Sequence, residues 1–298
     1  MHNGSNLIRT GRLILFLGLL LLIIAPIAAS GDTGVPLNSD FRENWFAFCK
    51  RPALSFSYGQ TMNSLQTMQG ELADPPLLEM KIGDLCEEVV EEGSPVIQYH
   101  FKYVGASYMS GEFGGTASAE KIDLTSWRLN TSSQEGWGYQ WSLGNSRAGI
   151  ILYHAQGMHL NYIDSQDDII DPTDRHRMNL FDEAFRFGTM TEAGIRLKPV
   201  GFLGIDFGYE RAVTFPRFLV GKWIVSEAVE GIGLDLLDRF VQRVMDSSPG
   251  AAPVVGFLLK NGFSYGIYEL RRNDMHFPFD TAAPLFSENF RIGLTVSF

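Results

Sequence analysis

The C-terminal nine residues alternate between large apolar and small or polar side chains. The apolar side chains occupy the even positions: Phe290, Ile292, Leu294, Val296 and Phe298. Because successive side chains of a β-strand point to opposite faces, this period of two predicts a strand with one apolar and one polar face. The segment ends on an aromatic residue.

Shorter segments with the same alternation recur along the chain and predict an all-β fold. The candidate strands are 53–59, 77–83, 95–105, 122–129, 136–144, 148–155, 157–163, 192–199, 203–212, 252–259, 263–271 and 290–298. About twelve antiparallel strands are therefore expected. Ten is the alternative, because 148–155, 157–163 and 252–259 match the pattern least well.

The connections between these strands fall into a short and a long class. Short turns are expected at 156–157, 200–202 and 260–262, the last of which contains the hairpin signal Asn261-Gly262. The long connections are 60–76, 106–121, 164–191, 213–251 and 272–289. If the strands close into a barrel, all short turns lie at one end and all long connections at the other.

One stretch has a helical period instead. Between 218 and 245, apolar side chains recur every three or four residues, at Val225, Val229, Ile232, Leu236, Phe240 and Val244. This spacing predicts an amphipathic helix at about 217–247, inside a 213–251 insertion and ended by Pro249. The helix is expected to constrict the mouth of the barrel, to lie on a membrane surface, to contact a partner, or simply to cap the fold.

The first thirty residues have the composition of a secretory signal peptide. Arg9 and Arg12 precede an apolar run at 13–24, and Ala28, Ala29 and Ser30 supply the small residues of a cleavage site. We expect cleavage after about residue 30, with an uncleaved anchor as the alternative. A short segment, 31–52, would then precede a barrel at 53–298.

A signal peptide at one end and an alternating strand ending in Phe298 at the other resemble bacterial outer-membrane β-barrels. The resemblance implies a transmembrane antiparallel β-barrel, located in the outer membrane, with 31–52 in the periplasm. It also implies contact with outer-membrane lipids and recognition of the last strand by the barrel-assembly machinery. A soluble exported β-protein is the alternative.

The amino-acid composition excludes several other classes of protein. Hydrophobic residues make up 45% of the 298 residues and charged residues 19%, with a mean hydropathy of -0.01. These values argue against disorder and against a bundle of membrane helices. The net charge of -10 argues against a nucleic-acid partner. The two cysteines, Cys49 and Cys86, form either one disulfide or two buried thiols.

Ten charged or histidine residues fall on the predicted polar face of the strands. They are Glu79, Lys81, His100, Lys102, Arg128, Arg196, Lys198, Asp206, Glu210 and Arg291. Inside a barrel these side chains either line a water path or pair into a plug. We therefore predict a porin-like channel for small solutes, with a structural or surface-interaction barrel of closed lumen as one alternative.

An outer-membrane lipid-processing enzyme is the other alternative, and the sequence favours it less. The usual local signal of such an enzyme is a histidine two residues before a serine on one strand. No serine stands two residues after His100, His154 or His159. The acidic run at 164–174 lacks the spacing of a calcium loop. No catalytic residue, metal site or cofactor is therefore expected.

Overall fold

The structure is a computed structural model that describes residues 51–66, 68–111, 121–144, 146–165, 171–272 and 274–298. The predicted signal peptide and residues 31–50 of the predicted periplasmic segment lie outside the described residues. Cys86 is disulfide-bonded, and Cys49, the other cysteine of the chain, also lies outside them.

Across the described residues, eight antiparallel strands close into a barrel, each paired with the next and the last with the first. They are β1 (Arg51–Ser64), β2 (Pro76–Val89), β3 (Val96–Met109), β4 (Leu124–Leu143), β5 (Ser146–Ser165), β6 (Ala184–Val200), β7 (Leu203–Thr214) and β8 (Leu285–Ser297). The start of β1 and the end of β8 define the terminal end of the barrel. The connections after β1, β3, β5 and β7 define the loop end.

The expected twelve strands, and the alternative of ten, are wrong. Segments 122–129 and 136–144 belong to the single strand β4, and 148–155 and 157–163 belong to β5. Residues 130–135 and 156–157 separated these predicted segments, but the strands continue through them, with Asn130, Ser132 and Gln134 facing the polar interior and residues 131, 133 and 135 facing outward. Gly157 also lies mid-strand, where an added Cβ would meet the Thr131 carbonyl oxygen at 2.4 Å.

The remaining two predicted strands, 252–259 and 263–271, form a helix. Three helices occur in the described residues: α1 (Pro172–Met178), α2 (Val220–Ser247) and α3 (Ala252–Leu270). At the start of α1 the Asp171 carboxylate accepts the N–H groups of Thr173 and Asp174, which lowers the pKa of Asp171. None of these helices has the length and apolar content needed to cross a membrane.

Helices α2 and α3 form a hairpin against the outer wall of the barrel. Val241 near the end of α2 packs with Val96 at the terminal end, and Tyr268 of α3 packs with Phe286 at the loop end. The Tyr139 hydroxyl donates to the Gly250 carbonyl oxygen over 2.6 Å. The insertion therefore runs along the wall and does not constrict the mouth.

Polar contacts explain why this hairpin docks on the wall. His154 of β5 points outward, and its Nδ1 lies 2.9 Å from Asn261 Oδ1 on α3. Arg271 donates to the Thr189 hydroxyl of β6 over 3.3 Å. Because the hairpin buries these outward groups, the hydrogen bonds offset the cost of removing them from water, and the polar side of the hairpin covers a polar strip of strand.

The bare part of the wall has the opposite character. Its outward side chains are large, apolar and exposed, and they include Phe56, Tyr58, Leu78, Met80, Ile82, Phe207, Phe290, Ile292 and Leu294. The inward side chains of the same strands are buried and mostly polar, including Ser55, Thr61, Glu79, Asn289 and Arg291. This is the reverse of a soluble barrel, whose interior is apolar.

Candidate functional site: the charged interior of the barrel

Six charged side chains meet in the middle of the barrel. Alternating positions of β2, β4, β6, β7 and β8 bring three carboxylates and three cations together: Glu79, Glu192, Glu210, Lys81, Arg128 and Arg291. Each of the six has at most 6% of its surface exposed. The charges balance, so the cluster is neutral as a unit.

Arg291 is the centre of this cluster. Its guanidinium lies 2.6 Å from Glu192 Oε2 and 2.8 Å from Glu210 Oε2, and it also pairs with Glu79. Arg128 Nη2 lies 2.7 Å from the other carboxylate oxygen of Glu210, Oε1. One guanidinium therefore holds three carboxylates that belong to three different strands.

Neutral donors add hydrogen bonds to the same three carboxylates. Asn130 Nδ2 donates to Glu79 Oε1 over 2.9 Å, and Asn289 Nδ2 donates to Glu210 Oε1 over 2.7 Å. The Tyr153 hydroxyl donates to Glu192 over 2.9 Å. Hydrogen bonds of this kind offset the large cost of removing charges from water.

A second charged group lies closer to the terminal end. Arg196 Nε is 2.5 Å from Asp206 Oδ1, and the same guanidinium lies 4.9 Å from the centre of the Tyr99 ring. Lys198 pairs with Glu87. Around them the interior becomes apolar, with a buried cluster of Ala53, Leu85, Ile97, Tyr99, Phe101, Tyr103, Ile151 and Tyr153.

Of the ten predicted lumen residues, the structure places eight on the buried inner face. His100 and Lys102 are the two exceptions, because they point outward from β3. On this strand the aromatic residues Tyr99, Phe101 and Tyr103 fill the lumen. The expectation that apolar side chains face outward is therefore wrong for β3 near the terminal end.

Sequence reasoning missed Glu192 and the neutral donors of the cluster. Glu192 has the same parity as Arg196 and Lys198, so extending the alternation of β6 by two pairs would have found it. The donors Asn130 and Tyr153 gave no such signal, because uncharged residues on a polar face are common.

Near the loop end, a cavity of about 10 Å³ bounded by Asn63, Asn161 and Ser287 has room for about one water molecule. Among the described residues no group of three or more His, Cys, Asp or Glu side chains could hold a metal ion. The charged side chains of the inner face are buried and paired with one another.

Comparison with solved structures finds similarity to outer-membrane β-barrels. Neisserial surface protein A matches with a TM-score of 0.38 and 9% identity, over 83% of this chain and 97% of that chain. Ail, the attachment invasion locus protein of Yersinia pestis, matches over 84% of this chain and 100% of that chain. Its TM-score is 0.34 with 11% identity in complex with the heparin analogue sucrose octasulfate, and 0.30 with 10% identity in a second structure.

No protein-family model matches the sequence, and no curated protein matches it. TM-scores below 0.5 and identities near 10% carry no inference about this chain. The assignment as an eight-stranded barrel rests on its own strand pairing.

Proposed function

We propose that this protein is an outer-membrane β-barrel with a closed lumen, which acts through its outer surface and not by conducting solutes. The observation that carries the proposal is the buried, charge-balanced cluster around Arg291. Barrels of eight strands have interiors that side chains can fill. The porin-like channel predicted from the sequence is therefore not favoured.

The inverted distribution of side chains supports the membrane location. Exposed apolar residues form a continuous band on the bare wall, including Ile82 on β2, Phe207 on β7 and Ile292 on β8. A soluble monomer rarely exposes a contiguous apolar surface of this extent. Acyl chains of outer-membrane lipids are the surroundings that fit this band.

A closed lumen predicts no ion conductance. The purified barrel, first shown to be folded by its heat-dependent shift on a detergent gel, should give no conductance steps in a planar lipid bilayer, because paired charges leave no water path. Steps that grow with salt concentration, and whose ion selectivity changes in a Lys81→Glu variant, would contradict the closed lumen.

Recognition by the barrel-assembly machinery predicts a defect on deleting Phe298 that appears only in cells. The Phe298 side chain has 75% of its surface exposed and stabilises little, although its backbone N–H donates to the Pro52 carbonyl oxygen over 2.9 Å. We expect several-fold less heat-modifiable barrel in membranes but nearly normal refolding in detergent. Ser297→Ala is the control, and equal losses in both assays would argue against recognition.

A further inference from the structure

The α2–α3 hairpin is amphipathic in the opposite sense to a hairpin on a soluble protein. A helix at the surface of a soluble protein turns its apolar stripe toward the core. Here the side buried against the barrel is largely polar and includes Ser226, Glu230, Lys260, Asn261 and Ser264. We define the outer face of the hairpin by the exposed apolar side chains of its loop-end half: Ile224, Val225, Val229, Ile232, Tyr265 and Leu270.

The charges beneath this outer face are paired. Glu227 and Glu230 are the acidic residues in the first half of α2, and both pair with Arg271 Nη2, at 2.8 and 3.0 Å. Arg271 also donates to the hydroxyl groups of Ser226 and Thr189, each over 3.3 Å. Glu230 and Arg271 have at most 4% of their surface exposed. The wall and the hairpin therefore supply the partners that these polar groups need where water is absent outside.

The outer face continues onto the bare part of the barrel wall. Tyr265 of α3 lies against Arg211 of β7, whose guanidinium is 5.2 Å from the centre of the tyrosine ring. Tyr209 of the same strand flanks Arg211 and stacks on Phe290 of β8, with the two ring centres 4.6 Å apart. Phe290 belongs to the bare wall and is exposed, whereas Arg211 is buried. Aromatic rings therefore connect the hairpin to the wall in one apolar surface.

The exposed charges of α2 begin at one level. In the stretch 220–232, all of which the structure describes, Lys222 is partly buried and donates to the Asp280 carbonyl oxygen at the loop end over 3.1 Å. Exposed charges follow from Asp235 onward, where Arg239 pairs with Asp235 over 2.8 Å. At ~1.5 Å per residue the stretch 220–232 is ~20 Å long, close to the ~25 Å apolar band of outer-membrane barrels.

The wall changes from apolar to polar at the same level. Asn261 of α3 contacts His154 of β5, and the cross-strand neighbour of His154 is the half-exposed Glu135 of β4. One residue before Asn261, Lys260 pairs with Asp238 over 2.5 Å, among the first exposed charges of α2. The hairpin and the strands therefore mark one common boundary between an apolar and a polar surface.

We propose that the outer face of the hairpin contacts the acyl chains of membrane lipids, so that the barrel and the hairpin together form the membrane-embedded body. This proposal rests on the proposed membrane location. Because the barrel covers the polar side of both helices, only their outer side has to be apolar. The hydrocarbon layer then ends near Asp235, and the charged second half of α2 lies in the interfacial region.

The test uses the full barrel, folded in phosphatidylcholine vesicles and carrying a nitroxide label at a single introduced cysteine. Cys86 is disulfide-bonded and does not take up the label. Oxygen is enriched in hydrocarbon, whereas a nickel chelate stays in water, so the ratio of their effects on the relaxation of the label reports its surroundings.

We expect the label in Val229→Cys to have an oxygen-to-nickel ratio several-fold higher than the label in Arg243→Cys. Arg243 is the matched control, because it is exposed on the same helix but lies in the charged half. Ile292→Cys on the bare wall is the reference for contact with acyl chains, and Val229→Cys should match it. If Val229→Cys does not shift on heating, Val225→Cys, one turn toward the loop end, should give the same ratio.

The reference position separates failure of the hairpin proposal from failure of the membrane location. Access of the nickel chelate to position 229, with position 292 still shielded from it, would overturn lipid contact of the hairpin and leave the membrane barrel standing. A label at 229 that neither reagent reaches would mean that protein, such as a second copy of the chain, covers the outer face, and would also overturn the proposal. Access of the chelate to both positions would contradict the membrane location itself.

Discussion

Replacing Arg291 with alanine should destabilise the barrel by about 3–5 kcal/mol. The guanidinium pairs with Glu79, Glu192 and Glu210, and all four groups are buried. Without it, the three carboxylates share two cations. A buried charge without a partner costs far more free energy than the original ion pair contributed. Equilibrium urea unfolding in detergent, followed by tryptophan fluorescence, measures the loss.

Two further variants test whether the loss of stability in Arg291→Ala comes from the missing charge, from lost packing, or from an effect that any surface ion pair would show. Arg291→Met keeps most of the side-chain volume, so it should cost nearly as much as alanine if charge is the cause. Arg272→Ala removes a surface partner of Glu269, an ion pair whose Arg272 side chain is half exposed, and should cost about 1 kcal/mol or less. A stable Arg291→Met barrel would mean that the cluster fills space without holding the strands together.

The strands predicted best from the sequence are those in which apolar side chains face outward and polar side chains face the lumen. From Phe290 to Ser297, β8 alternates without exception because its outward side meets the apolar band and its inward side meets the charged cluster. The β6–β7 turn at 201–202 also fell where 200–202 was expected. In both places the local pattern and the barrel environment require the same residue types.

In other segments the tertiary environment of the barrel determines the structure, and the local sequence pattern predicts it wrongly. The gap at 130–135 and the predicted turn at 156–157 interrupted the predicted strands, because a strand with polar side chains on both faces looks like a loop in sequence. β3 reverses the rule, since aromatic side chains fill the lumen near the terminal end and leave His100 and Lys102 outside. The α2–α3 hairpin shows the third case, in which Lys260-Asn261-Gly262 continues a helix where Asn-Gly alone predicted a hairpin turn.

The partners in the charged cluster could not be found from spacing along the chain. Glu79 and Arg291 are separated by 212 positions, and only the closed order of the strands brings β8 and β2 to the same interior.

Replacing Ile292 with arginine should destabilise the barrel by about 2–4 kcal/mol in a lipid bilayer. Ile292 lies on the bare wall between Tyr58 of β1 and Phe207 of β7, and all three side chains are exposed. An arginine on the lipid-facing side of a barrel strand near the middle of the bilayer has this cost because its charge loses water. Urea unfolding of the barrel folded into lipid vesicles measures it.

The matched control is Gln98→Arg on the outward face of β3, two residues from His100 toward the terminal end. If the hydrocarbon layer covers the bare wall and not the terminal end of β3, position 98 is in water and the same change should cost about 0–1 kcal/mol. The difference between the two arginines therefore locates the bilayer on the wall. Equal, small costs would mean that lipid does not surround Ile292 and would contradict the proposed membrane location.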